Sequence, residues 1–161
     1  MSNANLLVPR QAFGLHLTLD GYGCSRDALA DTLAIYQFLD RAPAEIGMTK
    51  IMSPHVIDYR PPPDRPPEDW GVTGFVIIAE SHISIHTFPE ALYLSLDIFS
   101  CKPFNTNDAA RMVIEQFQIG RVEVNLLDRG LEVPRNKAAV EKYLRGERAF
   151  CGGGEGHKNY N

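Results

Sequence analysis

The segment from Gly71 to Cys101, GVTGFVIIAESHISIHTFPEALYLSLDIFSC, constrains the fold more than any other part of the chain. Its middle piece, His82-Ile-Ser-Ile-His86, alternates strictly. His82, Ser84 and His86 share one face and Ile83 and Ile85 the other, the period-two pattern of a half-buried strand. The run before it, Phe75 to Ala79, is continuously apolar and reads as a buried strand that stops at Glu80-Ser81. After Thr87-Phe88-Pro89-Glu90 comes a third run, in which Leu92, Leu94, Leu96 and Ile98 face one way and Tyr93, Ser95, Asp97, Phe99 and Cys101 the other. One sheet surface thus buries aliphatic side chains while the other gathers a hydroxyl, imidazoles, a thiol and carboxylates.

The remaining elements fit around these strands. Phe13 to Asp20 alternates as a strand and Gly21-Tyr22-Gly23 ends it. Ser25 caps a helix expected over 27–40, with Leu29, Leu33, Tyr36 and Asp40 along one side and Pro43 and Gly47 as breakers. A candidate strand within 48–59 is interrupted by Pro54. Residues 60–69, RPPPDRPPED, are expected to form an extended surface loop, because proline fixes φ and removes the amide donor. A stiffened loop acting as a lid or interface wall is preferred there to a proline-rich ligand for a partner domain. Thr106 or Asn107 caps a helix to about Gln118, with Ala110, Val113, Ile114 and Phe117 inward and Gly120 as stop. A last strand covers 121–127, and a short helix is expected over 137–148 before a glycine-rich tail. The order β-α-β-β-β-β-α-β predicts an α+β fold, a two-layer sandwich with helices on one face of an antiparallel sheet. The domain is expected over 12–136, between a loose leader 1–11 and a terminal piece 137–161.

Composition removes several classes of function. The chain has 161 residues, enough for one domain with its own core, and a formal charge of −4, which does not suggest a nucleic-acid partner. No apolar run reaches the ~20 residues of a membrane span, and the N-terminus lacks the pattern of a signal peptide. Cys24, Cys101 and Cys151 are odd in number and not spaced as zinc ligands. A reduced cytosolic protein without a metal is the expectation.

Residue by residue, the central segment leaves alternatives open. Ala79-Glu80-Ser81-His82-Ile83 lacks the glycines of a hydrolase nucleophile elbow. His82 and His86 would share a metal on a helix, but on a strand they stand ~13 Å apart. Either histidine alone is commonly a hydrogen-bonded, half-buried residue. Cys101 is either a buried thiol or a proton donor on the Asp97 face. Phe88 and Phe99 are ordinarily core, and Glu90 after Pro89 an ordinary solvated turn residue.

AESHISIHTFPE, with DIFSC following it, resembles the prokaryotic S-adenosylmethionine decarboxylases, pyruvoyl-dependent enzymes of polyamine synthesis. FGLHLTLDGYGC extends the likeness more loosely, and the loop 60–69 and the tail beyond about 136 fall outside it. The resemblance implies self-cleavage between Glu80 and Ser81. The Ser81 hydroxyl attacks the Glu80 carbonyl, the amide becomes an ester, and β-elimination leaves a dehydroalanine that hydrolyses to a pyruvoyl group. That group forms a Schiff base with the substrate amine and acts as electron sink. His86 matches the processing histidine, and Thr73 stands where the family commonly has a serine assisting the acyl shift. Cys101 matches the proton donor and Glu90 the residue that binds ribose. Phe88 stands where many members carry tryptophan against adenine. The loop 60–69 displaces the family's other stacking aromatic, leaving Ile57 and Tyr59 as candidates. The implied product is decarboxylated S-adenosylmethionine for spermidine synthesis, made in the cytoplasm by a homodimer. Decarboxylation of arginine or ornithine is the rival reading. An unprocessed regulatory homologue is another, which the joint presence of Ser81, His86 and Cys101 argues against.

Overall fold

The computed structural model describes residues 12–131 and residue 133. The leader 1–11, the terminal helix expected over 137–148, Cys151 and the glycine-rich tail lie outside the described residues. Contacts divide the chain into a unit Gly14–Arg129 and a second made of Met1–Phe13 with Gly130–Asn161. Of the second, the described residues are Ala12, Phe13, Gly130, Leu131 and Val133, and the Val133 N–H donates to the Gly130 carbonyl at 3.0 Å.

Gly14–Arg129 runs β1 (Gly14–Tyr22), α1 (Arg26–Ala30), α2 (Thr32–Glu45), β2 (Thr49–Lys50), β3 (His55–Tyr59), β4 (Gly71–Ala79), β5 (Ser81–Phe88), β6 (Tyr93–Ser100), α3 (Thr106–Phe117) and β7 (Arg121–Arg129). Seven strands pair antiparallel in the order β2-β4-β5-β6-β1-β7, with β3 also on β4. Both β2 and β3 pair with β4, so they are two pieces of one edge strand interrupted around Pro54, as the sequence suggests. One sheet face carries Leu17, Leu19, Val76, Ile78, Ile83, Ile85, Leu94, Leu96 and Ile98, all buried beneath the helices. Phe38 of α2 meets Phe117 of α3 edge-on, ring centroids 5.4 Å apart. The result is the expected two-layer α+β sandwich.

Several local expectations fail for identifiable reasons. The helix expected over 27–40 is two helices, because Asp31 leaves helical geometry (φ −83°, ψ 93°) and caps α2 by accepting from the Ala34 N–H at 2.9 Å. The phase resets there. Leu33 is consequently 65% exposed, and Ile35, Phe38, Leu39 and Ala42 form the inward side instead of Leu33, Tyr36 and Asp40. Pro43 does not break α2, which continues to Glu45 with Pro43 buried in its last turn. Gly47, at φ +75°, is the actual stop. Neither Thr106 nor Asn107 caps α3. Asn105 does, its Oδ1 accepting from Asn107 N–H at 3.0 Å and Asp108 N–H at 3.2 Å, and Gln118 in the left-handed region ends the helix before Gly120. Along α3 it is Ala109, Val113 and Phe117 that are buried. β4 is covered on one face only, since Phe75 on the other is 38% exposed. Leu92 leaves the inward row at φ +50°. The proline loop contains one 3₁₀ turn, Pro67–Asp69, tolerated because proline at a first helical position gives up no bonded amide.

Candidate active site

The face without helices is organised by strand register, which sets paired residues side by side. Ile77, His82, Phe99 and His16 make one row across β4, β5, β6 and β1. Phe75, Ser84, Asp97 and Thr18 make the next, and Thr73, His86, Ser95 and Asp20 the one after. His55 pairs with Phe75, so four of the five histidines stand on this face.

At one end of β5, a single residue, Glu80, joins β4 to β5 and is exposed. Ser81 follows with φ +121°, a region that side-chain-bearing residues rarely adopt, at a cost on the order of 1–3 kcal/mol. Ser81 is in register with the buried Ile78 and Ser100 but is itself only half-buried, and its Oγ lies 3.3 Å from His82 Nδ1. The Cys101 backbone N–H donates to the Glu80 carbonyl oxygen at 3.4 Å. Beside them His16 Nε2 and Asp97 Oδ1 are 3.1 Å apart, and Phe99 packs near both His16 and His82, with the Arg129 guanidinium 4.2 Å from its ring centre. Burial first, and then the neighbouring His16, hold His82 below the usual histidine range.

A second cluster occupies the other end of β5. Thr73 Oγ1 and His86 Nδ1 are 3.2 Å apart. Phe88 stacks on Tyr93 at 5.4 Å, and Tyr22 lies 5.3 Å from the same ring. The Tyr93 hydroxyl donates to Asp20 Oδ1 at 2.5 Å. Glu90, in the 3₁₀ turn Pro89–Ala91, accepts from the Arg26 guanidinium at 2.5 Å and from Trp70 Nε1 at 3.0 Å. These two donors, Arg26 first, hold its carboxyl below the usual carboxylate range. The Arg60 guanidinium sits 4.2 Å from the Trp70 ring centre, closing a depression of about 400 Å³ lined also by Pro61, Pro62, Pro63 and Arg65. Ile57 and Tyr59 on β3 pair with Thr73 and Gly71 beside this cluster, both exposed.

The residues singled out in the sequence therefore fall into two groups. Glu80, Ser81 and Cys101 stand together. Thr73, His86, Phe88 and Glu90 stand at the far end, with His86 ~17 Å and Phe88 ~23 Å along the strand from Ser81 at ~3.3 Å per residue. Arg26, Trp70 and His16 are additions that sequence reading missed, and Asp97, read there only as sharing the face of Cys101, is joined by His16. Trp70 carried the clearest signal, as the sole tryptophan and the residue between the proline loop and β4.

Fold and site define a class of two-layer α+β proteins in which a serine in a tight hairpin ends a strand of an antiparallel sheet whose open face carries acid–base side chains. The family model for S-adenosylmethionine decarboxylase matches residues 15–130. An S-adenosylmethionine decarboxylase proenzyme of Moorella thermoacetica is 34% identical over 131 residues, 81% of this chain and 98% of that one. One of Aquifex aeolicus is 33% identical over 134 residues, 82% and 93% of the two chains. The crystal structure of the adenosylmethionine decarboxylase of Aquifex aeolicus superposes with a TM-score of 0.65 at 30% identity, covering 79% of this chain and 98% of that one. The chain belongs to the S-adenosylmethionine decarboxylase family. No helix among the described residues is long and apolar enough to cross a membrane.

Proposed function

We propose that this chain is the proenzyme of a pyruvoyl-dependent S-adenosylmethionine decarboxylase, self-cleaving between Glu80 and Ser81 and supplying decarboxylated S-adenosylmethionine for spermidine synthesis in the cytoplasm. One observation carries the reading: in a member of this family, Ser81 holds a positive φ in an exposed hairpin whose Glu80 carbonyl accepts a backbone N–H. The residues suit a pyruvoyl group made in place, since attacking hydroxyl and acceptor carbonyl belong to adjacent residues and a histidine nitrogen stands 3.3 Å from the hydroxyl oxygen. Once formed, the group supplies a carbonyl electron sink for loss of CO₂.

The chain's own side chains then divide the work. Cys101 returns a proton to the carbon that lost CO₂. Glu90, kept ionised by Arg26 and Trp70, accepts the ribose hydroxyls, and Phe88 with its stacked Tyr93 packs against adenine. This aromatic and carboxylate set supports a nucleoside substrate over arginine or ornithine. Thr73 and His86 act in processing.

Within one protomer those two groups stand too far apart to serve one substrate. A homodimer that packs open face against open face brings Thr73, His86, Phe88 and Glu90 of one copy to Ser81 and Cys101 of the other. The exposed Ile57, Phe75 and Phe88 on that face support such a cover. Release of CO₂ from S-adenosylmethionine, arginine and ornithine, measured side by side with the purified protein, tests the substrate. Turnover of S-adenosylmethionine is expected, and turnover of a basic amino acid alone would overturn the assignment. Mixing a Ser81→Ala chain with a His86→Ala chain tests the shared site: partial recovery of cleavage is expected, and none would contradict it.

A further inference from the structure

We infer that His82 of the same chain is the base that takes the Ser81 hydroxyl proton in the first step of self-cleavage, whereas His86 acts elsewhere in the sequence of steps. The inference rests on the self-cleavage proposed above and assigns its first proton transfer. Ser81 Oγ lies 3.3 Å from His82 Nδ1, within reach of a proton transfer once the contact tightens. His86, five residues along an extended strand, is ~17 Å from the same hydroxyl and cannot serve it within one chain. Its Nδ1 is moreover engaged by Thr73 at 3.2 Å.

The surroundings suit the role. His82 is faced by His16 from β1, Asp97 from β6 and Arg129 from β7, while Ile77 of β4 and Phe99 of β6 flank it in its row. Burial first, then the neighbouring His16, and also Arg129, favour the neutral ring, Asp97 opposes them, and the net direction is downward. His82 therefore carries an open lone pair at neutral pH, which a base requires.

The step balances without a co-reactant. The Ser81 O–H proton passes to His82 Nδ1 while a bond forms between Ser81 Oγ and the Glu80 carbonyl carbon. The oxygen that gains charge already accepts the Cys101 N–H at 3.4 Å. The carbon–nitrogen bond of the old amide then breaks and the imidazolium returns its proton to the Ser81 nitrogen, leaving an ester and an amine.

The test uses full-length precursor made by cell-free translation and chased at set pH, with cleavage followed by intact mass and ester followed by hydroxylamine sensitivity. His82→Asn keeps a hydrogen-bond acceptor near the hydroxyl but is not basic. If it folds as the wild type does by circular dichroism and melting, it should persist as a hydroxylamine-resistant amide, with cleavage slowed by ~10²-fold or more. The wild-type rate should fall in acid as a single group protonates below the ordinary histidine range, and this fall should be absent from the residual rate of His82→Asn. His82→Asn cleaving at the wild-type rate would overturn the role, as would its accumulation of a hydroxylamine-cleavable ester. A wild-type rate that shows no acid fall would overturn it even if the variant did not fold. A wild-type chain that never cleaves would instead overturn the self-cleavage itself.

Discussion

The backbone N–H of Cys101, just past the end of β6, donates to the carbonyl oxygen of Glu80, the residue between β4 and β5, at 3.4 Å. This bond ties the residue proposed as proton donor to the peptide proposed to break. It follows from register: Ser81 pairs with Ser100, so the next residue on each strand end lies across the same gap. The amide and the thiol of Cys101 can thus be tested separately, because a side-chain substitution leaves the amide in place.

Cys101→Ser should still cleave, since the backbone donor remains. Turnover should fall by ~10²–10³, the range for losing a positioned acid. Misplaced protonation should also leave alanine at the start of the C-terminal chain, visible by mass after turnover. A wild-type rate with no such mass would make Cys101 a packing residue.

Trp70→Phe removes the indole N–H that Glu90 accepts at 3.0 Å and keeps an aromatic ring. Arg26 still holds the carboxylate. The loss should appear as a KM raised ~5–10-fold with kcat little changed, as expected when one hydrogen bond positioning a binding group is lost. A fall in kcat at constant KM would place Trp70 in the chemistry instead.

Thr87→Val should destabilise the fold by ~1–3 kcal/mol, the cost of stranding buried polar groups. The Thr87 hydroxyl accepts from the Val72 N–H at 2.9 Å and donates to the Leu29 carbonyl at 2.8 Å, so one buried oxygen links β5, β4 and α1. Urea unfolding measures the change. A shift of only a few tenths of a kcal/mol would mean that water or another group replaces both bonds.

Alkaline pH should also loosen the protein. Burial pushes the Cys24 thiol up to about 11 from an ordinary value of 9.0. A raised pKa means that the folded state favours the neutral thiol. Its stabilisation is complete below pH 9 and disappears as pH rises toward 11, by at most ~3 kcal/mol. Tyr93, pushed up to about 12 by burial and by Asp20, adds in the same direction at higher pH. Urea midpoints from pH 8 to 11 should fall, and Cys24→Ala should fall less steeply over the same range. Parallel slopes would contradict the assignment to Cys24.

Much of this was legible in the sequence because alternation is a direct physical record of burial. Ile83, Ile85, Leu94, Leu96 and Ile98 could only face a core, and they do. Helix phase was less legible. A single aspartate, Asp31, restarts the helix and moves the inward stripe from Leu33 to Ile35, and nothing in a hydrophobic period marks such a break. The FVIIA run hid an open face, because apolar residues at Phe75 and Ile77 mimic a strand covered on both sides. The separation of Ser81 from His86 was implicit in the spacing of one strand. Trp70 and Arg26 were not readable in their roles, since each meets Glu90 only through the tertiary fold.

The whole mechanism depends on Ser81 breaking its own peptide bond. Intact-mass measurement of the purified wild-type protein, beside Ser81→Ala, tests it most directly. Two wild-type chains of 80 and 81 residues are expected, the C-terminal one beginning with a pyruvoyl group in place of Ser81, beside a Ser81→Ala chain that stays whole. A single wild-type chain of 18.0 kDa after prolonged incubation would contradict that cleavage.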